Sequence, residues 1–290
     1  MELTVGGRLL ACLRTGDDLP AEHSPRPYLH PIHTPSGVVV TDCAPADHPW
    51  HAGLSLAVAD VGGDNLWGGN TFVAGQGYVL RDDHGRMEMS GPIEVVTRDE
   101  TDGETKDTLR CEVRFDVLWR DRRGDSIVIE HRTISGSSTS RPEVWVLTAR
   151  STLTNLTSGS LAFGSPGTRG RPEAGYGGWT LRLAPRLRGC EVLTSSAPTI
   201  DVGETAMGQA ADWVCYRGGG VTLMMIDEST PGTKPPWYIR AETFPAAGPA
   251  PFFRDVVDLA PGAALTLGVA VIIADGRHPP SALLEQSRPI

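Results

Sequence analysis

The segment Asp42-Cys43-Ala44-Pro45-Ala46-Asp47-His48-Pro49-Trp50-His51-Ala52-Gly53-Leu54 packs an aspartate, two histidines and a tryptophan into five consecutive positions, Asp47 to His51. A neutral imidazole can accept or donate a proton near neutral pH. Asp47 could orient one ring, and Trp50 offers an apolar face suited to stacking on a sugar. Pro45 and Pro49 keep the backbone extended and prevent a helix. The apolar run Leu54 to Val58 follows at once, so the cluster sits at the mouth of a strand, where a rigid scaffold can position side chains. The competing reading is a loop of satisfied structural histidines. Six of the eight histidines in the chain precede residue 85, so the cluster belongs to a wider bias.

Four further segments could carry chemistry. Arg26-Pro27-Tyr28-Leu29-His30-Pro31-Ile32-His33 repeats the His-Pro-x-His spacing, and two such units could supply four metal ligands. Residues three apart in an extended segment point to opposite faces, however, so His30 and His33 need not converge. No metal or other cofactor is therefore expected. In Gly85-Arg86-Met87-Glu88-Met89-Ser90, alternation puts Arg86, Glu88 and Ser90 on one face and the two methionines on the other. Arg86 and Glu88 are either a solvated edge pair or part of a cleft. The glycine-rich stretch Gly164 to Trp179 matches no phosphate loop; Arg169, Glu173, Tyr176 and Trp179 are its candidate contacts. Around Met225-Ile226-Asp227-Glu228-Ser229-Thr230-Pro231-Gly232 a strand ends at an acidic pair. Asp227 could accept hydrogen bonds from ligand hydroxyls, polarise a base or simply cap a turn. Trp237 and Tyr238 open the strand that follows.

The elements that must hold these residues are almost all strands. Leu109 to Val117 is apolar at every second position, as an antiparallel strand with one wet face requires. Ser126 to Ile134 and Val144 to Leu153 extend it into a meander, with Ser135 to Ser140 as a hairpin tip. Further strands are expected at Arg8 to Leu13, Val38 to Thr41, Gly53 to Asp60, Ile93 to Thr97, Trp179 to Leu183, Trp213 to Tyr216, Val221 to Ile226, Trp237 to Ala241 and Ala264 to Ile273. A helix is expected only at Pro280 to Gln286. The 34 glycines and 23 prolines punctuate the strands. The pattern predicts an all-β fold of two large packed antiparallel sheets with few short helices, forming a single domain over residues 1–290.

Composition excludes other classes. The 290 residues carry a net charge of −9, which argues against non-specific binding to nucleic acid or an anionic membrane. No run approaches the ~20 apolar residues of a membrane helix, and no secretory signal is visible at the N-terminus. The five cysteines are scattered and form no CxxC pair, which predicts free thiols and a cytoplasmic setting.

Taken in order, Arg26-Pro27-Tyr28 with His30-Pro31, Asp47-His48-Pro49-Trp50-His51-x-Gly53-Leu54, Gly175-Tyr176-Gly177-Gly178 and Pro236-Trp237-Tyr238 resemble a widespread bacterial family. Its members are labelled "methane oxygenase PmoA-like" or as a domain of unknown function. The resemblance spans roughly residues 20 to 275. It implies a link to sugar oxidoreductases and a likeness to galactose-mutarotase-like β-supersandwich proteins, in which histidines and a carboxylate on a concave sheet activate a sugar. Trp50 and Ala52 stand where that pattern often has a further basic or histidine residue.

The expected function is that of a carbohydrate-active enzyme (an epimerase, lyase or hydrolase) acting on a sugar or oxidised sugar by general acid–base catalysis. His48 and His51 would move protons, with Asp227 or Glu88 as the complementary carboxylate. Arg26, His30, Asp47, Trp50, Arg86, Arg169, Tyr176 and Trp237 would bind the substrate. A non-catalytic sugar-binding module is the first alternative. A metal-dependent hydrolase or oxygenase using the histidine pair is the second. The expected partners are a small sugar-like molecule and a second copy of the chain in a homodimer, with no nucleic acid and no membrane.

Overall fold

A computed structural model describes residues 1–100, 108–229 and 234–286. Thr230, Pro231 and Gly232 of the acidic-pair segment lie outside the described residues. Two large antiparallel sheets face each other. One has ten strands. Its main path runs Glu2–Val5, Arg8–Arg14, Tyr28–Ile32, Leu54–Val61, Gly177–Arg182, Ala246–Pro249 and Trp237–Arg240. The other has eight strands, ordered Glu191–Thr194, Trp213–Gly218, Val221–Asp227, Ala264–Asp275, Val144–Asn155, Ser126–Ser138, Thr108–Arg120 and Arg86–Glu100. A separate hairpin pairs Thr71–Val73 with Gly77–Val79.

Period-two patterning explains the pairing. In Thr108–Arg120 the alternate residues Cys111, Val113, Phe115, Val117 and Trp119 all turn into the core. They meet Leu54, Leu56 and Val58 of the opposite sheet in one apolar cluster. A buried ion pair within Ser126–Ser138 supports a contact between the sheets. Arg132 holds Glu130 at 2.6 Å, and Trp119 Nε1 donates to the same carboxylate at 2.7 Å. Arg132 further donates to the Pro27 carbonyl at 3.0 Å and places its guanidinium 4.9 Å from the Trp179 ring centre. The Arg26-Pro27-Tyr28 segment is thereby tied to the far sheet.

Three expectations change. Ser135 to Ser138, expected in a hairpin tip, continues the strand Ser126–Ser138 in register with Trp145 to Thr148. Val38 to Thr41 forms no strand and contributes only the isolated bridges His33–Val39 and Thr41–Leu183. A turn at Thr34–Gly37 reverses the chain, and Thr41 Oγ1 is engaged by the Ile32 amide and His30, so no ladder continues. The helix is shorter than expected, Pro280–Leu284. All five cysteines are free thiols. Among the described residues no helix is long and apolar enough to cross a membrane.

Candidate functional site

The loop before Leu54–Val61 closes on itself. The Ala44 amide donates to the His51 carbonyl at 2.8 Å, and the Gly53 amide to the Asp42 carbonyl at 3.0 Å. Inside it, the His48 amide donates to Pro45 and the His51 amide to His48, two successive turns that bring both rings to one side. Gly53 is required here: its φ is +46°, and a Cβ would lie 2.0 Å from the Leu29 carbonyl oxygen. The rings of His48 and His51 stack with centroids 4.8 Å apart.

Each imidazole has one nitrogen already committed, and the two commitments are of opposite kind. His48 Nδ1 lies 2.8 Å from Asp47 Oδ2. An ionised carboxylate only accepts, so Nδ1 of His48 carries the proton and Nε2 is left as a base. Partial burial works to raise the Asp47 carboxyl, but the His48 hydrogen bond and the Arg182 charge outweigh it and hold the group below its ordinary value. His51 Nδ1 lies 3.2 Å from Arg182 Nη1. A guanidinium only donates, so Nδ1 of His51 accepts and its proton sits on Nε2. Burial, then the neighbouring His48, Arg182 and Arg26, push His51 well below the usual imidazole range, so it stays neutral. One ring is fixed as acceptor and the other as donor.

Arg182 was not legible as a site residue. It ends the strand Gly177–Arg182, is buried, faces Asp47 at 3.4 Å and lies 4.4 Å from the Phe244 ring centre. The available signal was a charge inside the apolar run Trp179 to Leu183.

The rings open on a cavity of about 440 Å³. Trp50, Trp67, Tyr176 and Phe244 give it aromatic walls, while Arg171 and Glu173 supply charge. Trp67 and Tyr176 pack with ring centres 4.6 Å apart. Tyr176 shares a 2.9 Å hydrogen bond with Tyr78 of the small hairpin, and Arg171 donates to the Tyr78 hydroxyl. Glu173 stands at φ +54°, a conformation that side chains other than glycine rarely adopt, and its carboxylate has no hydrogen-bond partner among the described residues. Trp67, Tyr78 and Phe244 were not singled out from sequence, since their own segments carry no motif; Arg171 lies in the glycine-rich stretch Gly164 to Trp179 but was not among its named contacts.

The fold therefore gathers His48, His51, Asp47, Trp50, Glu173 and Tyr176, and separates Arg26, His30, Arg86, Glu88, Arg169, Asp227 and Trp237 from them. Arg26 is no ligand contact. It is fully buried, and its guanidinium bonds Ser55 Oγ and the carbonyls of His23, Ser24, Trp50 and Trp67, pinning the loops that carry Trp50 and Trp67. Burial lowers it to about 10, which leaves it charged at neutral pH. His30 turns to Thr41 Oγ1 at 2.9 Å. Trp237 is buried and donates to the Ala211 carbonyl, so it has no face to offer. Neither expected carboxylate lines the cavity. Glu88, on the edge strand of the eight-stranded sheet, is tied to Arg86 and, at 2.6 Å, to Arg120 on the adjoining strand. Asp227 accepts from Ser229 Oγ at 2.7 Å and caps its strand end. Arg169 pairs with Asp60 at 2.5 Å beside an adjoining cavity. Among the described residues no three His, Cys, Asp or Glu side chains are grouped to hold a metal.

No curated protein matches the sequence. Among solved structures, the alpha-galactosidase from Lactobacillus brevis is 11% identical, with a TM-score of 0.40, over 92% of this chain and 34% of that one. The galactosidase domain of the alpha-galactosidase-sucrose kinase AgaSK is 11% identical, with a TM-score of 0.38, over 92% and 36%. The chain spans about a third of the length of each. The PmoA-like label finds no support in these comparisons. A family model matches residues 1–287, nearly the whole chain, and the protein belongs to that family, the family of unknown function DUF6807.

Proposed function

We propose that the protein is a carbohydrate-active enzyme that moves a proton at a sugar by paired acid–base catalysis. The observation that carries this reading is the opposite fixing of two stacked imidazoles, Asp47 behind His48 and Arg182 behind His51, at an aromatic-walled cavity. His48 Nε2 is the base that takes the proton. His51 Nε2–H donates to the oxygen on which negative charge develops, in a buried position where such a bond is strong. Trp50 and Tyr176 supply apolar faces for a sugar ring. The cavity volume falls in the roughly 300–1,000 Å³ range of small-molecule sites. Epimerisation, elimination and hydrolysis of a sugar or oxidised sugar are the reactions such a donor–acceptor pair could serve.

The test is turnover of neutral and oxidised sugars by purified protein. His48→Asn and His51→Asn should each abolish turnover while the folded structure persists. A second reading, a sugar-binding module without turnover, is favoured by the separation of Asp227 and Glu88 from the cavity. Sugar affinity without turnover on any substrate would decide for it. A metal-dependent reaction is the weakest reading: Arg182 at His51 Nδ1 leaves the proton on Nε2, where a metal would need a lone pair, and no group of three possible ligands forms among the described residues.

A further inference from the structure

A second cavity of about 280 Å³ adjoins the first. The two share Trp67, Gly68, Asn70 and Tyr176 as a common wall. That wall has the make-up a carbohydrate partition needs: two aromatic rings, a glycine that adds no bulk and an amide. Asn70 is exposed, and its side chain has no hydrogen-bond partner among the described residues, so its donor and acceptor are free on the boundary. The wall is also held rigidly. Asn65 accepts from the amides of Trp67 and Gly68, both at 2.9 Å, and donates to the Gly69 carbonyl at 3.1 Å.

The second cavity has polar walls of its own. Arg169 and Asp60 meet across it at 2.5 Å. Only the Arg169 Nε is used in that pair; its two terminal nitrogens have no hydrogen-bond partner among the described residues, and the side chain is 57% exposed. A guanidinium fixed at one nitrogen and free at two is pre-oriented to donate to vicinal hydroxyls. Phe72 adds an apolar surface.

We infer that the ligand is a glycoside of at least two units. The reacting unit lies by His48 and His51, and its neighbour crosses the Trp67–Asn70–Tyr176 wall into the cavity headed by Arg169 and Asp60. This rests on the reading of the first cavity as a sugar site.

Calorimetric titration tests it with glucose and galactose, and with the disaccharides maltose, cellobiose, melibiose and lactose. At least one disaccharide should bind about tenfold or more tightly than either monosaccharide. Arg169→Ala should remove that advantage and leave monosaccharide affinity unchanged; Asn70→Ala, on the wall common to both cavities, should also remove the advantage, and Asp60→Asn, which keeps the shape but not the pair, should weaken it. Equal affinity for monosaccharides and disaccharides would overturn the inference and leave the sugar reading standing. So would a disaccharide preference untouched by all three variants. Binding of none of the six sugars would overturn both.

Discussion

Arg182 Nη1 donates to His51 Nδ1 across 3.2 Å, from a strand more than a hundred residues further along the chain. That contact determines what His51 can do, because a guanidinium has no lone pair to give and no accessible neutral form. Asp47 constrains His48 in the opposite sense at 2.8 Å. Adjacent histidines that look interchangeable in sequence thus have distinct roles.

The assignment is open to direct reading. Long-range proton–nitrogen spectra at neutral pH should report His48 protonated at Nδ1 and His51 at Nε2. In Arg182→Met, His51 should lose its fixed tautomer and take up a proton more readily. The reverse pattern in the native protein would remove the basis for treating His48 as the base.

Stability should respond to pH with a definite sign. His51 is held well below 6.5 in the folded protein, and burial lowers His23 and His30 as well. Below about pH 6.5 the unfolded chain therefore binds more protons than the folded one. Stability is full above that value and falls as pH drops through it, before carboxylates near pH 4 contribute. Urea midpoints between pH 7.5 and 5 should show this decline. His51→Asn should flatten part of the slope and leave the share due to His23 and His30.

Asp47→Ala removes the acceptor that orients His48 and leaves the ring in place. Turnover should fall on the order of 10²-fold with KM changed little, because the loss concerns proton transfer and not binding. Steady-state kinetics on the first active substrate provide the check. A loss confined to KM would mark Asp47 as a binding residue.

Arg26→Ala should destabilise the fold without touching the chemistry directly. It strands several buried carbonyl acceptors at once, each costing about 1–3 kcal/mol. A total loss of at least about 3 kcal/mol is expected in denaturant unfolding. Arg26→Lys should recover little of it, since an ammonium cannot reach the same forked set of acceptors. Near-native stability in the alanine variant would restore Arg26 as a candidate ligand contact.

Gly69→Ala tests how Trp50 is held. Gly69 has φ +69°, and a Cβ would come within 2.6 to 2.7 Å of the Trp50 indole. Strain of about 1–3 kcal/mol is expected, together with a shift of Trp50 seen as altered tryptophan fluorescence and weakened sugar binding. Unchanged fluorescence and affinity would place Trp50 outside the recognition surface.

The sequence by itself determined the all-β class, most strand positions and the histidine cluster. Alternation in Thr108–Arg120 and the two prolines around His48 act over a few residues, so their consequences are readable locally. The partners of those residues were decided only in three dimensions. Asp227 and Glu88 were open in sequence between a ligand role and a local one; in the fold each is claimed by a residue two positions away, Ser229 and Arg86, with Arg120 of the adjoining strand added to Glu88, away from the cavity. Arg26 looked like a ligand contact because a guanidinium can bind an acidic group or hydroxyls. In the fold it is buried, since carbonyls from four loop positions need a donor that only a guanidinium can be. Arg182 reaches His51 because Gly177–Arg182 pairs with Leu54–Val61, a register that follows from sheet assembly and has no local signature.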